Sequence, residues 1–278
     1  MQYIQRDNCV EIKNVTDFDP VKIFECGQCF RWNADENGVY LGVAMNRAAK
    51  VWKTDESVFI SGTLEDFENI WRDYFDLDRD YAALRSSLNT DEYIKKAAEF
   101  SAGIRLLHQD RWETLCSFII SQCNNIARIK RIIEALCRSF GEPIFFEGKT
   151  LYSFPDAERL AGLCEKDLEP IKSGYRAKYI IEAANSVASG KTDLDILAAG
   201  SYDEALRTLK GLSGVGDKVA NCVILFGLHM MDAFPVDVWI KRAIGANYGK
   251  GFDPKIFGDA AGLAQQYMFY YARSQGKS

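Results

Sequence analysis

Lys218 is followed four residues later by Cys222 and nineteen residues later by Asp237. Lysine and aspartate are residue types equipped for covalent chemistry. An uncharged lysine amine can attack an electrophilic carbon and form a Schiff base. A carboxylate held opposite can stabilise the positive charge that develops as a leaving group departs. Lys218 falls in the first turn of a helix opening at Asp217, where the positive helix end and any burial disfavour the ammonium form. Lys218 and Cys222, four apart, share one helix face. Each residue alone has a plainer reading. Lys218 could be a surface phosphate contact, and Asp237 could cap the helix that starts at Val238, a role compatible with chemistry.

The stretch Leu206-Arg207-Thr208-Leu209-Lys210-Gly211-Leu212-Ser213-Gly214-Val215-Gly216-Asp217-Lys218 must position the amine. One helix ends at Gly211 and a second begins at Asp217. Gly214 and Gly216, flanking one valine, let the backbone turn tightly and approach a ligand without a Cβ. The amides opening the second helix then form an anion site, which a phosphate suits. A bare Gly-x-Gly is weak, and a helical corner with glycines for packing would explain it. The longer pattern of Leu-x-Gly-Val-Gly-x-Lys between two helices is more specific.

Segments Cys9–Val15, Val39–Met45, Lys50–Thr54 and Ser57–Ser61 are rich in Val, Ile, Phe, Tyr and Trp and predict an antiparallel sheet of about four or five strands. Thr63 can cap a helix with an apolar face of Leu64, Phe67, Ile70, Trp71 and Phe75. From there almost everything reads helical, with helices at 126–140, 155–163, 175–190, 202–210, 217–228, 236–247 and 254–274. The fold class is α+β: a small N-terminal antiparallel sheet domain over residues 1–100, then a two-part all-α body over 101–278 with the helix–hairpin–helix at 202–228.

The 278 residues carry a formal net charge of −5. Residues 1–100 hold 12 basic and 19 acidic side chains, so bulk charge gives no support for a nucleic-acid partner. No apolar stretch is long enough for a membrane span, and the N-terminus resembles no signal or transit peptide. An intracellular, reducing setting and eight free thiols are expected. Cys26-Gly27-Gln28-Cys29 is a C-x-x-C without a second pair, so it carries no metal or redox assignment. His108 and His229 stand isolated and read as structural or surface residues; no metal site is expected.

The hairpin with Lys218 and Asp237 resembles the helix–hairpin–helix DNA glycosylase superfamily. Gly27-Gln28-Cys29-Phe30-Arg31-Trp32, Gly103-Ile104-Arg105-Leu106-Leu107, Ser117 to Arg128, Gly174 to Tyr179 and Ala261-Gly262-Leu263-Ala264-Gln265 are similar to the 8-oxoguanine DNA glycosylase/AP lyase family. The resemblance spans roughly residues 20–270. It implies that Lys218 expels the damaged base and forms a Schiff base whose elimination nicks the strand, with Asp237 opposite. It implies that the Gly27 carbonyl accepts the N7 hydrogen that distinguishes 8-oxoguanine from guanine, that Cys222 and Phe269 sandwich the flipped base, and that Gln265 reads its pairing edge. Arg128 and Arg176 match residues that hold the orphaned cytosine, and Tyr175 the wedge that fills the stack. Cys123, with Asn124, occupies an asparagine run of the family; Trp239 and Ala272 stand where animal and fungal members have a phosphate-binding histidine and its carboxylate.

The reading is a monomeric, cofactor-free glycosylase/lyase acting on duplex DNA with 8-oxoguanine opposite cytosine, in the nucleoid of a prokaryote. A hairpin of the kind this stretch resembles can hold a monovalent cation on its backbone carbonyls. The alternatives are a monofunctional alkylbase glycosylase of the same superfamily and a non-catalytic hairpin module. The absence of a four-cysteine cluster after Asp237 argues against the iron–sulfur branch.

Overall fold

The computed structural model describes residues 1–276. Its first layer is an antiparallel sheet of six strands: β1 (Gln2–Gln5), β2 (Cys9–Lys13), β3 (Asn33–Ala34), β4 (Tyr40–Ala44), β5 (Arg47–Lys53) and β6 (Ser57–Ser61), in the spatial order β1-β2-β6-β5-β4-β3. The four strands expected from Val, Ile and aromatic content are present. Short edge strands β1 and β3 extend them on either side. Their few residues are largely exposed, so apolar patterning carried little signal for them.

Beneath the sheet lies an aromatic core. Phe24 stacks on Trp32 at 4.4 Å, and Trp32 Nε1 donates to Tyr74 Oη at 2.9 Å. Thr63 caps the next segment by accepting from Asp66 N. This segment runs as α2 (Leu64–Asp66), a π-helical stretch over Phe67–Trp71 and α3 (Arg72–Tyr74), following α1 (Pro20–Glu25) in the chain. The widened middle turn buries Phe67 and Trp71 on the same core.

The helical body contains α4 (Tyr81–Ser87), α5 (Glu92–Phe100), α6 (Arg111–Ile120), α7 (Ile126–Phe140), α8 (Ala157–Ala161), α9 (Arg176–Ala188), α10 (Leu194–Ala199), α11 (Tyr202–Lys210), α12 (Asp217–Phe226), α13 (Val238–Asn247) and α14 (Ala261–Gln275). Two expectations need correction. First, the body is not purely helical: β7 (Pro143–Phe146) and β8 (Lys149–Tyr152) form a hairpin. Glu147 (φ 46°) and Gly148 (φ 74°) supply the two left-handed residues that a tight hairpin turn demands. Second, 254–274 is not one helix. A 3₁₀ segment, Pro254–Ala260, precedes α14, and Gly258 breaks the helical path within that segment.

The last helix joins the two parts. Gln266 Nε2 donates to Cys26 O at 2.7 Å, and Ser101 Oγ donates to Tyr267 O at 3.2 Å. His108 and His229, read as isolated, instead meet, with ring centroids 3.6 Å apart. Their separation in sequence hid a contact that the packing of α12 against α6, which His108 precedes, creates. Among the described residues, no helix is long and apolar enough to cross a membrane.

Candidate active site

The hairpin forms as its sequence demands. α11 stops at Lys210, and α12 starts from Gly216. Gly214 takes φ +78°, and a Cβ there would lie 2.4 Å from the Tyr179 ring, so both conformation and space call for glycine. Tyr202 Oη donates to Asn221 Oδ1 at 2.8 Å, and Lys210 pairs with Asp217 at 2.5 Å, locking the two helices together. Helices α6, α7, α11 and α13 each have a side-chain N-cap, whereas α12 has none. Its first-turn amides are therefore left to an external acceptor.

Lys218 is half-buried on this first turn. Its Nζ lies 3.5 Å from Ser121 Oγ and 5.0 Å from the centre of the Phe118 ring. Cys222 is buried one turn further on. Burial pushes its thiol up, while the neighbouring Lys218 pulls it down and Asp237 adds to the rise. Asp237 is the N-cap of α13, with Oδ1 accepting from Ile240 N at 2.9 Å. Asp237 thus has the capping role foreseen for it, and its second oxygen is not used by that cap. The structure gathers Lys218, Cys222 and Asp237 into one neighbourhood.

α14 supplies the facing wall. Gln265 is only 4% exposed, and its Oε1 is buried without a hydrogen-bond partner. An unpaired buried acceptor is costly, about 1–3 kcal/mol, and marks a group organised for a ligand. One turn along, Phe269 lies over Gly27: a Cβ on Gly27, whose φ is +82°, would sit 3.3 Å from the Phe269 ring. Gln266 and Arg273 fix this segment from α14, donating to Cys26 O at 2.7 Å and Glu25 O at 2.6 Å. The sequence reading singled out neither, nor Ser121. Arg273 was accessible through helical spacing, four residues after Phe269; nothing local marks Ser121.

The remaining candidates surround the loop before α7. Cys123 is exposed with φ +46°, a left-handed conformation. Asn124 Nδ2 donates to Ile120 O at 3.2 Å. Asn125 caps α7 through Arg128 N at 2.9 Å, leaving the Arg128 side chain exposed. Tyr175 is 54% exposed at the start of α9. Arg176 is 3% exposed, donating to Gln122 O from Nε at 3.0 Å and to Cys123 O at 3.3 Å, with Tyr175 stacked on it. Arg176 therefore shapes the 122–123 turn as well as lying beneath the wedge position. Trp239 stacks with Arg242 at 5.4 Å. Cys26 and Cys29 are buried in separate cores, with their thiols pushed up by burial, to about 11 for Cys26.

An uncapped helix start after a glycine hairpin, with a lysine amine and a helix-capping carboxylate close by, defines a helix–hairpin–helix base-excision site. Residues 116–253 match the HhH-GPD superfamily of base excision DNA repair proteins, and residues 11–115 match the 8-oxoguanine DNA glycosylase N-terminal domain. A structure of MBOgg1 in complex with a low-affinity DNA ligand is similar with a TM-score of 0.94 at 45% identity, covering 99% of this chain and 100% of that one. The Clostridium acetobutylicum 8-oxoguanine glycosylase/lyase, in complex with double-stranded DNA containing cytosine opposite 8-oxoguanine, gives 0.94 at 38% identity, with 99% of both chains covered. The N-glycosylase/DNA lyase of Saccharomyces cerevisiae is 32% identical over 263 residues, 84% of this chain and 69% of that one. The chain belongs to the 8-oxoguanine DNA glycosylase family.

Proposed function

We propose that this protein flips 8-oxoguanine out of duplex DNA, excises it through Lys218 and then nicks the strand as an AP lyase. The observation that carries this reading is the placement of Lys218 beside buried Cys222 on an uncapped helix start, with the half-buried Asp237 close by. In the reaction Nζ forms a bond to the anomeric carbon as the bond from that carbon to the base breaks. The base leaves with the electron pair and takes up a proton. Sugar ring opening gives the protonated imine, which acidifies the adjacent sugar proton; loss of that proton expels the 3′ phosphate. Asp237 stabilises the positive charge on the sugar while its other oxygen holds α13.

In this reading the flipped base lies between Cys222 and Phe269. Gln265 Oε1, buried without a partner, reads the pairing edge, and the Gly27 carbonyl accepts the N7 hydrogen that guanine lacks. Arg128 holds the orphaned cytosine with donors alone, matching its acceptors, and Arg176 joins it by exchanging its bonds to the Gln122 and Cys123 carbonyls for that base. Tyr175 fills the stack, and the amides after Gly214 and Gly216 hold a phosphate. Cys123 and Asn124 line the orphaned base. The chain acts as a monomer and without a cofactor, a monovalent cation on the hairpin carbonyls supporting the turn. Its setting is the nucleoid of a prokaryote.

Borohydride trapping on a duplex with one 8-oxoguanine opposite cytosine tests the reading. The expected result is a covalent adduct that depends on the lesion and vanishes in Lys218→Gln. An adduct that persists in Lys218→Gln removes the assigned nucleophile. Base release without any adduct would make water the nucleophile and the enzyme monofunctional.

A further inference from the structure

Away from this site, three metal-ligating side chains converge where the two cores meet. Asp76 follows α3, His108 precedes α6, and His229 lies three residues beyond α12. The imidazole centroids are 3.6 Å apart. Asp76 Oδ2 is 3.5 Å from His229 Nε2, and Asp76 Oδ1 is 3.7 Å from His108 Nε2. One ligand atom from each residue lies within 4.8 Å of the other two. We propose that Asp76, His108 and His229 bind one divalent transition-metal ion of the zinc class, clipping the end of the Lys218 helix to the sheet side of the molecule.

The spacing is close to what coordination requires. Ligand atoms about 2.0–2.2 Å from one tetrahedral ion lie roughly 3.3–3.6 Å from each other. The separations of 3.5 and 3.7 Å, each to a different oxygen of Asp76, lie at or just outside this range, and within the 4.8 Å bound on the three atoms the rest closes by about 1 Å as the ion enters. The donor set of two imidazoles and one carboxylate suits a borderline ion and leaves a fourth position for water.

The surroundings orient the ligands. His108 Nδ1 bonds to Asp73 Oδ1 at 3.0 Å, which puts the proton on Nδ1 and leaves the Nε2 lone pair facing Asp76. That Nε2 is buried without a hydrogen-bond partner, as is His229 Nδ1. Asp76 is held by Arg105, which donates to its carbonyl at 2.6 Å, and by Tyr81 Oη, which donates to Oδ2 at 2.9 Å. Asp76 and His229 both take left-handed backbone, φ 47° and 56°.

A simple ion pair accounts for less. Asp76 stands 3.5 and 3.7 Å from the two ring nitrogens, too far for a well-formed hydrogen bond to either. A metal ion uses a lone pair from each. Arg79 is the competitor: its Nε donates to Asp76 Oδ2 at 2.6 Å, and Nη2 is 3.4 Å from His229 Nε2. Its side chain is 37% exposed, so it can swing into solvent as the ion enters.

The test is titration of the chelator-treated full chain with Co²⁺ and with Zn²⁺. The expected result is one equivalent of Co²⁺ with visible absorption of nitrogen and oxygen ligation, lacking the intense thiolate band, and displaced by Zn²⁺. The thermal midpoint should rise with Zn²⁺ concentration. His108→Gln and His229→Gln should each abolish both responses while lesion-dependent trapping continues, which reports their folding. Asp73, 72% exposed, can be changed without disturbing a core. Asp73→Asn should weaken Co²⁺ binding about tenfold or more. No saturable Co²⁺ binding, binding with a thiolate band, or binding unchanged in both histidine variants would overturn the site.

Discussion

At the residue scale, the proposed choice of Lys218 over Cys222 as nucleophile follows from burial. Cys222 is the softer group, but burial holds its thiol protonated against the pull of Lys218. It therefore offers a neutral, polarizable face and does not compete with the amine. Gly27 makes a second residue-scale prediction. Its φ of +82° costs an alanine about 1–2 kcal/mol, and the new Cβ would press on Phe269 at 3.3 Å. Gly27→Ala should lower excision of 8-oxoguanine at least tenfold. Trapping at a plain abasic site, which needs no base in the slot, should change far less. Single-turnover excision and abasic-site trapping, measured side by side, separate the two. The sequence exposed these residues unevenly. The placement of Lys218, Cys222 and Asp237 was legible because helical spacing and a capping position are local properties, while their roles came from the family resemblance. The hidden partners, Ser121 and Phe118, reach Lys218 from another helix, and no local pattern encodes that approach.

At the element scale, α14 does more than close the fold. One face of it presents Gln265 to the slot, and neighbouring residues grip the chain from Glu25 to Gly27. Gln266 is the positioning residue of that grip, since its amide satisfies the Cys26 carbonyl next to Gly27. Gln266→Met keeps the volume but leaves that buried carbonyl without a donor, a loss of about 1–3 kcal/mol. Thermal or denaturant unfolding should register this loss. Selectivity for 8-oxoguanine over guanine should fall more than abasic-site trapping does. Selectivity unchanged alongside the stability loss would reduce Gln266 to a purely structural residue. The hairpin and the main strands were legible because glycine punctuation and apolar patterning are written locally. The β7–β8 hairpin was missed because each strand has only four residues and its turn, Glu147-Gly148, lacks the usual Asn or Asp. The break at Gly258 was missed because apolar spacing continues across it.

At the scale of the whole molecule, the eight thiols report on both cores at once. Cys123 and Cys164 are exposed, Cys9 is half-buried, and the other five are buried. Cys29 belongs to the aromatic core under the sheet, while Cys26, Cys116, Cys137 and Cys222 belong to the helical one. Burial pushes the buried thiols up, to about 11 for Cys26 and about 12 for Cys137. The sign is direct: a raised thiol pKa means less thiolate at a given pH. At pH 8 a thiol at about 11 is roughly one-thousandth ionised, so shielding and protonation act together against alkylation. The expected labelling pattern at pH 8 is two fast cysteines, one slower and five protected. Because Arg273 on α14 donates to Glu25 O in α1, whose Ile23 and Phe24 lie in the aromatic core, opening of either core should disturb the other. Cys29 and Cys137 should therefore lose protection at the same denaturant concentration, read by mass spectrometry of labelled peptides. Loss of Cys29 protection well before Cys137 would mean that the sheet unfolds on its own and that α14 does not couple the two cores.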